Sequence, residues 1–241
     1  MIKQKIPRTI CNQNIWALKG SAKNRQVRRA QTIVSYLDIK PEDYLLDVGC
    51  GEGFVISHLR TSNFSVGIDI SKTSLLAAKQ RVRQSNIDFI LADVNALPFK
   101  ISSFDKITLL EVLEHLPEET QKHLLNELDN LLKTEGTLLI SVPYKEQISY
   151  TQCSHCGKLT PLWGHLCSFD EKKITNLLLN SYSLVAICHL PNIAIISLSK
   201  IFQKLPFRIW LHLNNFLGKI RTGYWLMMKF QKNKQKTDLE K

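Results

Sequence analysis

A doubly wound α/β sheet, mostly parallel and covered by helices on both faces, is what this 241-residue sequence predicts. Three observations carry the prediction. Short apolar runs alternate with segments of helical periodicity, the pattern of strand-helix-strand units in a parallel sheet. The first such run, YLLDVG, leads into a turn rich in glycine, Gly49-x-Gly51-x-Gly53. Seven strand-like runs can be counted, the last of them (YWLMMKF) close to the C-terminus.

Each element has its own justification. Val27, Ala30, Ile33, Val34 and Leu37 recur at helical spacing and predict a helix over 24–37. The turn DIKPED separates it from the first strand. There follow a helix over 54–60, a strand over 65–70, a helix over 72–84 and strands over 88–92 and 106–110. A long helix over 117–132 precedes EGTLLISVP, the fifth strand. Residues 153–167, CSHCGKLTPLWGHLC, break the alternation, which resumes with a helix in SFDEKKITNLLLNS and a strand in YSLVAICHL. Residues 194–217 are apolar and basic with helical spacing through Ile195, Leu198, Ile201, Phe202, Leu205, Ile209 and Leu213. The uncharged stretch 174–199 contains Pro, His, Asn and Ser, so no transmembrane span is expected.

Composition narrows the function classes. A hydrophobic fraction of 44% is ordinary for a globular protein. The first residues, MIKQKIPRTICNQNIW, lack a long apolar segment, so a cytoplasmic, reducing setting is expected for the six cysteines, which favours metal or redox chemistry over disulfides. Charge is uneven. Residues 1–40 carry nine Lys/Arg against one acid, residues 191–241 ten against two, and the centre thirteen against eighteen. Basic ends around an acidic centre suit an anionic partner such as a membrane surface, a phosphorylated substrate or nucleic acid.

Glycines in the turn after a strand let main-chain N–H groups approach a ligand closely. A dinucleotide fingerprint requires a third glycine where Phe54 stands, which argues against a pyrophosphate. The G-x-G-x-G spacing preceded by Asp47 resembles motif I of the class I S-adenosylmethionine-dependent methyltransferases. VGIDIS, ADVNALPF, FDKITLLEVLEHL and LLKTEGTLLISVP resemble that family's later motifs in the same order, over about 43–143. The resemblance implies a Rossmann-like, seven-stranded sheet whose last strand is antiparallel. It also implies S-adenosyl-L-methionine as cofactor, held by Asp47, Gly49, Cys50, Gly51 and Gly53. Asp69 would accept from the ribose hydroxyls with Ile70 beside it, and Asp93 would meet the adenine amine with the Val94 backbone at the ring. Two acids at the ends of consecutive strands suit hydroxyls and an amine on chemical grounds too.

Methyl transfer from a sulfonium needs a nucleophile held in line, and a base only where a proton must leave. Glu111, Glu114 and His115 follow the fourth strand, and helical spacing would gather all three on one side. His115 is the first candidate base and Glu111 the second, with Tyr144 a further pocket residue. The type 11 and ubiquinone-biosynthesis methyltransferases resemble this stretch, and in the latter these positions are associated with a divalent metal. Cys153, Cys156, His165 and Cys167 form a possible Cys3His structural zinc site, with a glycine directly after the second cysteine. The segment resembles an insertion of some bacterial methyltransferases, although Pro161 stands where those carry a histidine.

The chain is therefore divided into an arm or lid (1–24), a cofactor-binding core (25–145), a Cys/His insertion (146–169), a C-terminal part of the same fold with a basic amphipathic helix (170–232) and a charged tail (233–241). The expected activity is S-adenosylmethionine-dependent methylation, on O or C, of a small-molecule or lipid- or glycan-linked acceptor, with peripheral contact to an anionic membrane. Methylation of RNA, and a non-catalytic zinc-knuckle module binding RNA or a membrane, are the alternatives; nucleic acid is the less favoured partner.

Overall fold

Leu45, Leu46 and Val48 are fully buried because their strand, β1 (Tyr44–Val48), runs through the middle of a sheet with parallel neighbours on both edges. The computed structural model describes residues 15–59, 63–178, 181–190, 204–220 and 225–234, without the side chains of Ser21 and of 217–220. β1 lies between β2 (Phe64–Asp69) and β4 (Phe104–Leu110). With β3 (Ile87–Leu91), β5 (Leu132–Pro143), β8 (Tyr182–Leu190) and β9 (Trp225–Lys232) the order is β3-β2-β1-β4-β5-β9-β8. β9 runs antiparallel to both of its neighbours and the others are parallel, as the sequence predicts. The order reverses between β1 and β4, and a sheet of this kind opens a crevice at the carboxyl ends of its strands at such a point.

Two apolar layers enclose the sheet. On one face, α3 (Glu118–Leu131) and α4 (Glu171–Leu177) bury Leu124, Leu125, Leu128 and Ile174 against the strands. On the other, α1 (Gly20–Leu37), α2 (Lys72–Arg81) and α5 (Phe207–Ile220) supply Ile33, Leu37, Leu75, Ala78 and Trp210. Capping is explicit at two helices. Ser71 accepts from the Ser74 N–H at 3.2 Å and Asp170 from the Lys173 N–H at 2.8 Å, each satisfying an N–H that its helix leaves free.

Three elements differ from the sequence reading. The helix expected over 54–60 is a single 3-10 turn, Ile56–His58. The Phe54 carbonyl accepts instead from the Ser57 hydroxyl at 2.7 Å and meets His58 Nδ1 at 2.8 Å, so side chains occupy the acceptor that a longer helix would use. α4 is shorter than the periodicity implies. Residues 146–169 carry a two-stranded hairpin, β6 (Tyr150–Gln152) and β7 (Leu159–Pro161), tied at its tip by Cys153 N–H to Lys158 O at 2.9 Å. In β8 the register shifts between Leu184 and Ala186, a bulge in the last strand of the sheet. Residues 1–14, Ile195, Leu198, Ile201, Phe202 and the tail beyond 234 lie outside the described residues.

Gly49 shows how tightly the turn after β1 is built. Its φ is +75°, and a Cβ there would lie 2.4 Å from Val112 Cγ2. Gly49→Ala is expected to cost roughly 2–4 kcal/mol, combining left-handed backbone strain with overpacking. Adding Val112→Ala should restore only the packing part. An unchanged midpoint of chemical denaturation for Gly49→Ala would show that the turn adopts another conformation.

Candidate active site

The glycine turn hangs from the end of β2. Gly49 N–H and Cys50 N–H both donate to the Ile68 carbonyl, at 2.8 and 2.9 Å. One residue on, the Asp69 carboxylate accepts from Gly51 N–H at 2.9 Å and from Ser71 N–H at 2.8 Å. A single carboxylate thus fixes the glycine turn and the start of α2 together, and each of its oxygens keeps a lone pair for a further donor. Gly51 has a φ of +53° and no atom within 4 Å of where a Cβ would stand, so one face of its backbone is open. Ile70 is 67% exposed beside it, an apolar surface at the mouth of the crevice. Asp93, exposed after β3, accepts from the backbone and side-chain amides of Asn95 at 2.9 and 2.7 Å, while Val94 leans on the core. Open backbone, two carboxylates at successive strand ends and an apolar platform fit a nucleoside-bearing cofactor.

Two residues of the cofactor set act from inside. The Cys50 thiol is buried against Gly67 and pushed up by burial and by the nearby Asp47 and Asp69 carboxylates, so it packs and does not react. Asp47 is buried at 2% exposure, and the Thr108 hydroxyl donates to it at 2.6 Å. Burial raises its carboxyl from 3.8 to about 7; the Thr108 hydrogen bond opposes the shift and Asp69 adds to it.

The residues after β4 do not share one side. Glu111 has a φ of +56°, and only Leu113–His115 form a 3-10 turn. This left-handed residue sends Glu111 one way and Glu114 and His115 another. Glu111 lies at 3.0 Å from Arg29 of α1 and accepts from the Ser141 hydroxyl at 2.7 Å; Arg29 stands over the Trp225 ring at 4.9 Å. A non-glycine residue held at positive φ by two polar partners marks a constrained site. Tyr144 lies further along the same strand ends, edge-on to His189 with centroids 4.7 Å apart.

His115 faces the insertion. Its Nδ1 donates to the Gly164 carbonyl at 3.2 Å, and its ring meets the His165 ring edge-on at 4.7 Å. Burial lowers its pKa, with His165 acting in the same direction. The Glu114 carbonyl accepts from the N–H groups of Leu166 (2.6 Å) and Cys167 (3.3 Å), which fastens the insertion to this turn.

The four residues expected to cage zinc are not brought together. Cys153 and Cys156 are exposed at the hairpin tip, where the N–H groups of Cys156 and His155 hold the Cys153 thiol below its ordinary value. His165 turns away to a hydrogen bond with Glu146, and Cys167 packs against the core. Hydrogen bonding to Glu146 and the pull of the apolar interior decide the orientation, which spacing alone leaves open. Sequence reasoning also missed Arg29, Ser141, Trp225 and Glu146, whose partners are remote in the chain.

Residues 46–140 match the Methyltransf_11 family model, described as a methyltransferase domain. This segment is a domain of that family, and its resemblance to the class I S-adenosylmethionine-dependent methyltransferases holds. The mitochondrial ubiquinone biosynthesis O-methyltransferase of Saccharomyces cerevisiae is 28% identical over 66% of this chain and 54% of its own. The methyltransferase GfsG of Streptomyces halstedii is 32% identical over 47% of this chain and 42% of its own. The chain thus spans about half the length of these relatives. Among solved structures, the complex of the Haloferax volcanii Trm112 methyltransferase activator with a methyltransferase gives a TM-score of 0.64 at 18% identity, covering 89% of this chain and 95% of that one. The N-methyltransferase NodS of Bradyrhizobium japonicum WM9 with S-adenosyl-L-homocysteine gives 0.61 at 16%, covering 95% and 97%. At such identities the structural likeness establishes the fold.

Asp47 provides a pH test of this geometry. A carboxyl raised in the folded state binds more protons folded than unfolded, so its contribution falls as pH rises from about 4 to about 7. Between pH 5 and pH 8 Asp47 should remove roughly 2–3 kcal/mol of stability. Asp47→Asn should lack that fall in denaturant unfolding at the two pH values. Equal pH dependence in both proteins would place the carboxylate in water.

Proposed function

We propose that the protein binds S-adenosyl-L-methionine in the crevice at the carboxyl ends of β1, β2 and β3 and transfers its methyl group to an oxygen of a small-molecule acceptor. The observation that carries this reading is the Asp69 carboxylate, fixed between Gly51 and Ser71 beside an open backbone face. Asp69 would take the ribose hydroxyls, Ile70 would cover one face of the base, and Asp93 would accept from the adenine amine. The name of the yeast relative, an O-methyltransferase, supports oxygen as the acceptor atom.

In the reaction the sulfur–methyl bond breaks as the oxygen–methyl bond forms, and the acceptor proton goes to a base. Glu111 takes that role in this reading. It sits at the end of β4, is one-quarter exposed, and is aimed by Arg29 and Ser141. His115, the other candidate from sequence, is engaged with the insertion and leaves the role to Glu111. Holding acceptor and methyl in line in a site that excludes water supplies most of the acceleration.

Calorimetry with S-adenosylhomocysteine tests the cofactor. Wild-type protein should bind it, and Asp69→Ala should bind at least about tenfold more weakly through the loss of charge-assisted hydrogen bonds worth roughly 1.5–3 kcal/mol. Absence of wild-type binding would overturn the reading. Glu111→Gln should retain cofactor affinity while transfer to a phenolic or hydroxyl acceptor slows by about 10²–10⁴-fold.

The acceptor is met, in the same reading, at an anionic membrane surface. α5 exposes Ile209, Leu213 and Phe216 along one stripe, with Arg208 and His212 exposed beside it and Lys204 just before it. No helix among the described residues is long and apolar enough to cross a membrane. Flotation with anionic vesicles should show salt-sensitive binding that Phe216→Ser and Arg208→Ser weaken, while neutral vesicles bind little. Equal flotation with both lipids would remove the electrostatic part of this proposal.

A further inference from the structure

Two thiols stand in solvent at the tip of the insertion. Every residue from Cys153 to Lys158 is exposed, whereas Cys50 and Cys188 are buried and Cys167 packs against the core. Cys153 and Cys156 are thus the exposed thiols among the described residues. Burial pushes the Cys50 and Cys188 thiols up, so neither competes for an oxidant.

The chain around them is wound into a closed turn. The Gly157 N–H donates to the Cys153 carbonyl at 2.8 Å, and the Cys153 N–H donates to the Lys158 carbonyl at 2.9 Å. Gly157, at a φ of +68°, makes the reversal that both bonds need. Gln152 Nε2 braces the turn from the end of β6 by donating to the Gly157 carbonyl at 3.1 Å. The two side chains meet as a result. The Cys153 thiol is hydrogen-bonded to the Cys156 thiol and accepts from the N–H groups of Cys156 and His155. Donors aimed at a sulfur favour the thiolate, which is the nucleophile of disulfide exchange. Residues 147–169 contain Lys158 and no Asp or Glu, so no carboxylate of that segment opposes it. From a thiol–thiol hydrogen bond, only a short approach remains to an S–S bond of about 2.05 Å.

We propose that Cys153 and Cys156 are a redox-active dithiol that exchanges with small-molecule disulfides of the glutathione type and closes a reversible disulfide at the tip of the insertion. The oxidant is the small disulfide itself. The Cys153 sulfur attacks one of its sulfurs, the S–S bond of the small molecule breaks, and one half leaves as a thiol carrying the Cys153 proton. Cys156 then attacks the Cys153 sulfur of the mixed disulfide, and the second half leaves with the Cys156 proton. Two protein thiols are oxidised and one small disulfide is reduced to two thiols. The turn holds the second nucleophile against the first, so the second step has the advantage of proximity. The new bond lies within the turn that joins β6 to β7, so it stiffens the end of the hairpin. The inference does not depend on the methyltransferase reading.

The test follows thiols by mass. The full chain is reduced, freed of reductant by gel filtration, and mixed at neutral pH with excess glutathione disulfide in the presence of a chelator. Timed samples are quenched in acid, alkylated, and read by intact mass and peptide mapping. Wild type should lose both tip thiols together, with Cys153 linked to Cys156 and about two glutathione thiols released per chain. Fewer than about one chain in ten should carry glutathione at any time, because proximity makes the second step the faster one. Cys156→Ser should trap about one glutathione per chain on Cys153, and Cys153→Ser should form no intrachain disulfide. Dithiothreitol should restore both wild-type thiols. Both substitutions fall on exposed side chains, so the fold is not at stake. Tip thiols that stay open to alkylation, glutathione that accumulates on them in wild type, or oxidation that ends in linked pairs of chains would each overturn the proposal.

Discussion

The Ile68 carbonyl is the point on which the active face depends. It accepts from two successive N–H groups, Gly49 and Cys50, at the end of the neighbouring strand. Two donors can converge on one acceptor only if the chain reverses sharply after Val48, and the positive φ of Gly49 supplies that reversal. The parallel register of β1 with β2, Val48 against Ile68, fixes where this happens. Asp69 is then next in line and meets Gly51 without any further adjustment. A slip of one residue would carry the carboxylate to the other face of the sheet. The geometry of the glycine turn and of Asp69 therefore follows from strand pairing more than from the loop itself.

A second set of constraints comes from α1. Arg29 joins Glu111 at the end of β4, Ser141 near the end of β5 and the Trp225 ring at the start of β9. One side chain thereby ties three strand ends to a helix on the opposite layer. Ahead of that helix, Trp16 donates to the Glu52 carbonyl at 3.0 Å and packs edge-on against Phe54 at 5.3 Å. The residues before the sheet thus support the glycine turn and the side chain of Glu111. These contacts tie the glycine turn and the end of β4 to the N-terminal helix.

Much of this was legible in the sequence, and the failures have physical causes. The strand over 182–190 was read to the residue, because an apolar run of that length between polar turns has few alternatives. The helix over 54–60 was overread because periodicity cannot register that side chains occupy the Phe54 carbonyl. Asp69 and the glycine spacing were visible since strand-end chemistry is local. Grouping Glu111 with Glu114 and His115 assumed a helix, and one left-handed residue separates them. The cysteine segment failed in a similar way. Proximity in sequence implied a cage, whereas Glu146 and the core draw His165 and Cys167 apart from the hairpin tip. Arg29 carried no signal at all, because its meaning lies entirely in partners brought to it by folding.

The bulge between Leu184 and Ala186 bears on how the molecule behaves in a crowd. β8 ends the sheet, and Leu184, Val185 and Ile187 are apolar and exposed along it. A regular strand with those side chains would offer its unpaired amides and carbonyls as a template for another chain. The extra residue breaks the spacing of those groups and increases the local twist, so a second copy cannot extend the ladder across it. The irregularity protects against edge-to-edge aggregation and leaves the paired side of β8 free to hold Cys188 and Leu190 in the core.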